Sequence, residues 1–225
     1  LLGLHDPAET LVPRHARVTE AVRRLPGLRF GRTGAVLEAL VPAILEQKVT
    51  GEEARTAYRR LVHTYGEPAP GPIPLRLPVE PAVLARLPYH AFHVLGVERR
   101  RAELIAHVAR DAELLESLAA LAEAGRADEV YTRLTSYPGI GPWTAAEVGA
   151  RAFGDADAVS IGDYHLPHLV CWALAGEPRG TDERMLELLA PYAGHRGRVA
   201  RLLELAGPRT PRRGPRMAPR RIERI

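Results

Sequence analysis

Between Ala127 and Phe153 the chain spells two short helices joined by a turn whose residue types leave little choice of backbone. Val130, Tyr131 and Leu134 recur at helical spacing. Pro138 ends that helix, because the residue before a proline is pushed out of the helical region. Gly139 and Gly141 flank Ile140, and glycine both admits unusual backbone angles and lets another molecule come close. Pro142 suits the first turn of a second helix, where its missing N–H costs nothing. That helix carries Trp143, Ala146, Val148 and Ala150 towards Phe153, with Gly154 set to end it. Its N-terminus presents N–H groups that suit a phosphate. A tight helix–helix turn with no ligand would use the same Pro-Gly-x-Gly pattern.

The rest of the chain also reads as helix. Val18, Ala21, Val22 and Leu25 lie on one face of a short amphipathic segment, and Leu37, Leu40, Val41, Ile44, Leu45 and Val49 form a longer stripe over Ala35–Val49. Pro42 sits inside that stripe and predicts a kink or a delayed start. Thr50 and Glu53 have capping-box spacing for the next helix. Residues 67–81 hold six prolines and read as an extended surface connection, with a short extended piece at Ile73–Val79. Further helices are predicted over Val97–Ala124, from Tyr164 to Trp172, around Asp182–Leu189 and around Arg196–Leu205. The fold class is all-α.

Charge is unevenly placed. The net +4 hides a tail, Gly207–Ile225, with seven arginines and one glutamate, which leaves 24 basic against 26 acidic residues in the body. A body that is not basic must bind any polyanion through local backbone donors and a few placed cations, assisted by the tail. No apolar run approaches the ~20 residues needed to span a membrane. The single Cys171 excludes an internal disulfide and a four-cysteine iron–sulfur cluster, and points to a reducing compartment. The chain begins at Leu1 without methionine, which suggests a missing upstream region.

Taken together, Leu134-Thr135-Ser136-Tyr137-Pro138-Gly139-Ile140-Gly141-Pro142-Trp143-Thr144-Ala145 resembles the helix-hairpin-helix of the DNA glycosylase superfamily (HhH-GPD). It is similar above all to the 3-methyladenine DNA glycosylase II branch. Asp163 follows nine residues after Gly154, in Ser160-Ile161-Gly162-Asp163-Tyr164-His165, where the family carries its catalytic aspartate. The resemblance covers Leu37 to Gly207. It implies two helical lobes flanking a cleft: a central bundle over 34–153 ending in the hairpin (127–153), and a second lobe from 1–33 and 154–206. Residues 207–225 form the Arg/Pro tail.

The resemblance also implies roles. Asp163 would stabilise an oxocarbenium-like transition state and orient water, although capping of the following helix alone would also account for an aspartate there. Trp143 and Tyr164 would line the pocket for the extruded base, a core position being the alternative for Trp143. Bifunctional members carry a lysine nucleophile where Trp143 stands, so no lyase activity is expected. Gln47 falls on a family glutamine, with the duplex wedge at Lys48 or, since the better-known relatives use an apolar wedge, at Val49. His195 falls near another pocket aromatic. Gly139, Gly141 and Thr144 would hold phosphates, and the carbonyls of Thr135, Tyr137 and Ile140 would bind a Na or K ion. No cofactor is expected for catalysis, nor a metal at His165 and His168. The implied activity is excision of alkylated purines from double-stranded DNA in base excision repair, by a monomer in a bacterial cytoplasm. The alternatives are a same-fold enzyme for uracil, hypoxanthine or a mismatched thymine, and a non-catalytic lesion-binding protein.

Overall fold

The computed structural model describes residues 2–208, 218–220 and 222–224; the remainder of the Arg/Pro tail lies outside the described residues. In chain order the helices are α1 (Ala16–Arg24), α2 (Val36–Glu46), α3 (Gly51–Tyr65), α4 (Pro81–Leu84), α5 (Tyr89–His93), α6 (Arg99–Arg110) and α7 (Ala112–Glu116). There follow α8 (Leu118–Glu123), α9 (Ala127–Thr135), α10 (Pro142–Val148), α11 (Leu166–Ala175), α12 (Asp182–Leu189) and α13 (Arg196–Ala206). The fold is all-α. Where an extended piece was expected, an isolated antiparallel bridge joins Pro68 to Arg76.

The chain divides into two compact units, Leu1–Gly34 with Gly141–Gly214, and Ala35–Ile140 with Pro215–Ile225. The change of unit falls inside the hairpin, whereas the sequence suggested Phe153. The end of the tail groups with the second unit.

In the Ala35–Ile140 unit, α2 packs on α3, α6 and α7 through Leu37, Leu40, Ile44 and Leu45, all buried. The helix runs through Pro42. Its first turn rests on Glu116, whose two carboxylate oxygens accept from the Val36 and Leu37 N–H groups, each at 2.8 Å. These are donors with no partner inside the helix. α2 stops at Glu46, short of Val49, because Gln47 turns to extended angles. The next helix opens on the full capping box: Thr50 Oγ1 accepts from Glu53 N, and Glu53 Oε2 from Thr50 N at 2.8 Å.

In the other unit, α11 packs on α12 and α13, and α1 on α13. Val18, Leu166, Val170, Met185, Leu189, Val199 and Leu203 form that core. Beside it lies a buried polar network. Arg198, 1% exposed, pairs with Asp6 and donates to Leu28 O and His195 Nδ1, each at 3.1 Å. The Thr10 hydroxyl gives its hydrogen to Pro7 O at 2.8 Å, so it accepts from His195 Nε2, also at 2.8 Å. His195 is therefore the neutral Nε2–H tautomer, and burial together with the Arg198 charge holds its pKa below the ordinary value.

Two outcomes follow from this network. Arg198→Met leaves Asp6 buried without its cation and should cost about 3–5 kcal/mol in urea unfolding, with part recovered by adding Asp6→Asn. For His195, the folded pKa lies below the unfolded 6.5, so the unfolded chain takes up the proton first. Its contribution is full above that pH and is lost as pH falls through and below it. Urea midpoints at about pH 7.5 and about pH 5.5 should draw closer together in His195→Gln than in the wild type.

Candidate active site

The hairpin turn is fixed by two glycines with different duties. Gly139 sits at φ +104, and a Cβ there would stand 3.0 Å from Leu104 Cδ2. The backbone angle calls for glycine, and any side chain there would also have to push the Leu104 methyl aside. Gly141 lies at φ −95 and ψ 179, angles that any residue adopts, and a Cβ there would meet nothing within 4 Å. Among the described residues no contact requires glycine at 141; what the missing side chain leaves is an open approach to the first turn of α10. Pro142 takes the first position of that helix. Trp143 and Thr144 follow, the former half-buried and the latter buried.

Two turns of chain later the Asp163 loop is held at each side. The Ser160 hydroxyl donates to Glu147 Oε1 at 2.6 Å, and Gly162 N–H donates to Asp182 Oδ2 at 3.0 Å. Gly162 itself needs its φ of +90. Asp163 Oδ1 accepts from His165 N at 2.7 Å and Leu166 N at 2.8 Å, which caps α11. Asp163 Oδ2 accepts from the Trp143 indole N–H at 3.2 Å. The carboxylate is thus oriented by three N–H donors, and the indole plane is fixed by the same bond. Among the described residues no arginine, lysine or histidine side chain pairs with it.

The expected pair Trp143 and Asp163 is therefore in direct contact. Tyr164 is 79% exposed, with its ring edge-on to His165 at 4.9 Å and to His168 at 6.1 Å. His168 accepts from Gly180 N–H at 3.1 Å, and among the described residues no group of His, Cys, Asp and Glu could hold a metal. His195, expected near the base, has both ring nitrogens committed to Thr10 and Arg198.

Two carboxylates beside Asp163 escaped the sequence reading. Glu147 bonds Ser160 and pairs with Arg151 at 2.8 Å. It stands four residues after Trp143, and that helical spacing was a usable signal. Glu204, on α13, has no local signal. Its side chain remains 40% exposed, but partial desolvation against the surrounding protein raises its pKa and the charges of Glu147 and Asp163 add to the rise, against the opposing pull of Arg201 at 3.0 Å.

In the Ala35–Ile140 unit, Gln47 Nε2 donates to Gly139 O at 3.0 Å, tying the end of α2 to the hairpin turn. The exposed Lys48 follows at φ +55, the one non-glycine residue with positive φ among those described. That conformation costs an L-residue about 1–2 kcal/mol, so its neighbours must hold it. Val49 is half-buried beside it.

The chain is 32% identical over 145 residues to the probable bifunctional transcriptional activator/DNA repair enzyme AlkA of Mycobacterium tuberculosis, covering 64% of this chain and 29% of that protein. It is 32% identical over 140 residues to DNA-3-methyladenine glycosylase 2 of Escherichia coli, covering 62% and 49%. It therefore spans about half or less of the length of these curated relatives. The fold is similar to that of a 3-methyladenine DNA glycosylase from Archaeoglobus fulgidus, with a TM-score of 0.70, 24% identity, and coverage of 81% of this chain and 62% of the other. The profile of the HhH-GPD superfamily base excision DNA repair proteins matches residues 41–193, and with the hairpin and the aspartate loop inside that span the chain belongs to this superfamily.

Proposed function

We propose that this protein is a monofunctional DNA glycosylase that extrudes an alkylated purine such as 3-methyladenine from duplex DNA and hydrolyses its glycosidic bond. The observation that carries the reading is the Trp143–Asp163 pair. As the base departs, positive charge grows on the sugar. Asp163, held by N–H donors and, among the described residues, paired with no cationic side chain, supplies the opposing negative charge through Oδ2 and orients the attacking water. Trp143 offers its ring face to the extruded base, and the exposed Tyr164 ring a second aromatic surface. An electron-rich ring favours a cationic N-alkylated purine. Such a base is already a good leaving group, so the reaction needs no strong general acid. The likeness to the DNA-3-methyladenine glycosylase 2 of Escherichia coli supports this substrate class. An indole cannot form a Schiff base, so the abasic site is left uncut.

Backbone N–H groups at Gly139, Gly141 and Thr144 contact phosphates, and Lys48 or Val49 fills the gap left by the base, with Gln47 beside it. His195 takes no part in base recognition in this reading, since both of its nitrogens serve the buried network. A Na or K ion fits the carbonyls of Thr135, Tyr137 and Ile140 by donor chemistry, since neutral hard oxygens suit such ions; Tyr137 O also accepts from Ile140 N at 2.9 Å. When bound, the ion would add positive charge near the backbone of the DNA.

The test is release of free methylated purines from alkylated duplex. Wild type should release them, with strand breaks appearing only after alkali. Asp163→Asn should be slower by about 10²–10³-fold, because its amide can keep the α11 cap but then points N–H groups at the Trp143 N–H. No release by wild type with intact DNA binding would rule out alkylated purines as substrate. Gly141→Ala separates binding from folding: with no neighbour to meet the new methyl, stability should change by less than ~0.5 kcal/mol. Duplex affinity in an anisotropy titration should fall about tenfold.

A further inference from the structure

The last described residues do more than trail off the fold. Arg220 N–H donates to Glu53 Oε1 at 3.0 Å, and its guanidinium pairs with the same carboxylate at 3.6 Å and donates to Lys48 O at 3.3 Å. Three residues on, Glu223 pairs with Arg60 on α3 at 3.4 Å, and Ile222 between them is buried. The segment is thus pinned along α3 at Glu53 in its first turn and at Arg60 further on, with Arg220 reaching over to the turn that precedes the helix.

That turn is Gln47-Lys48-Val49-Thr50, the proposed wedge. It is held by Gln47 on the hairpin carbonyl, by Glu53 on Thr50, and by Arg220 on Lys48 O. The last of these grips the residue in the unfavourable left-handed conformation. Burial works to raise the Glu53 pKa, but hydrogen bonds from Thr50 and Arg220 outweigh it and hold the carboxyl below its ordinary value. It therefore stays charged and keeps its grip on both. From below, Arg101 Nη1 donates to Leu45 O at 2.7 Å.

We infer that the C-terminal residues 218–220 and 222–224 act as a strap that sets the duplex-inserting loop, with Arg220 as its positioning residue: by holding Lys48 O it fixes the left-handed turn that presents Lys48 and Val49. This rests on the wedge reading of that loop. A wedge acts only where a base is missing from the stack, so Arg220 governs preference for lesion-containing DNA more than affinity for DNA in general. A plain basic tail would do the opposite, contributing equally to every duplex and adding to the salt dependence.

The experiment uses the full chain and two duplexes, one undamaged and one with a tetrahydrofuran abasic analogue opposite 2-aminopurine. Anisotropy gives affinity across a salt series, and 2-aminopurine fluorescence reports unstacking at the gap. Arg220→Ala should lower the preference for abasic over undamaged DNA about tenfold, or ~1.4 kcal/mol, with reduced fluorescence and an unchanged salt slope. Arg220→Lys should restore part of the preference. Asparagine tolerates left-handed angles better than lysine, so the loss caused by Arg220→Ala should shrink in a Lys48→Asn background. Equal loss on both duplexes, with the salt slope falling by about 1, would make Arg220 a phosphate contact and overturn the strap. So would the same loss with lysine or asparagine at 48. If Lys48→Ala and Val49→Ala both keep the abasic preference, the wedge reading itself fails; if they lose it while Arg220→Ala keeps it, only the strap does.

Discussion

A helical chain must answer the N–H groups at the start of each helix, and here carboxylates from outside the helix do much of that work. Glu116 closes the first turn of α2, Asp157 accepts from Arg196 N at the start of α13 at 2.9 Å, and Asp163 closes α11. Each carries negative charge to the positive end of a helix, where it is favoured. Each also fixes the direction from which one segment meets another. What distinguishes the three is how they spend their oxygens. Both oxygens of Glu116 go to backbone N–H, and both oxygens of Asp157 meet the Arg196 guanidinium. Asp163 satisfies the helix with Oδ1 alone and turns Oδ2 to an indole. A single residue can thus be structural on one side and chemical on the other.

This double duty explains which parts of the molecule could be read in advance. The Thr50–Glu53 box was legible because the two partners are three residues apart and their types dictate the bonds. The hairpin was legible because Pro138, Gly139 and Pro142 restrict the backbone locally. Asp163 could be placed at the mouth of α11 by the same local logic. The bond from Trp143 to Asp163 crosses twenty residues, and nothing in the spacing announces its geometry. Glu116 reaches across eighty residues to α2, and His195 across 185 to Thr10. Such long-range polar pairs leave no periodic trace. That is why His195 read as a pocket residue, whereas its partners in the structure are Arg198 and Thr10. Lys48 was singled out by position, but its left-handed backbone could not be inferred, since sequence offers no glycine or asparagine there to signal it.

Charge distribution follows a related logic. The body carries a slight acidic excess, which is awkward for a protein whose family acts on DNA. The acidic side chains beside Asp163 are partly neutralised by arginines close in sequence: Arg151 meets Glu147 four residues on, and Arg201 meets Glu204. Each of these pairs is exposed enough to be worth little in stability. Their value is local. They keep two neighbouring carboxylates from adding their full charge to that of Asp163.

The absence of a cationic partner at Asp163 among the described residues then acquires a physical reason. A guanidinium at bonding distance would hold the carboxylate in place just as well as an indole and two amides do. In the proposed reaction it would also cancel the field that a developing oxocarbenium ion needs, since attraction to a fixed cation is not available to the transition state. Neutral N–H donors orient the group without neutralising it. The indole adds a second economy, because the same side chain that steadies the carboxylate presents an aromatic face. A lysine at position 143 would bring a nucleophile and a competing positive charge together, and it would change both the electrostatics and the outcome of the reaction. Trp143 and Asp163 are therefore best understood as one unit, in which a neutral donor orients the carboxylate and leaves its charge in place for the proposed reaction.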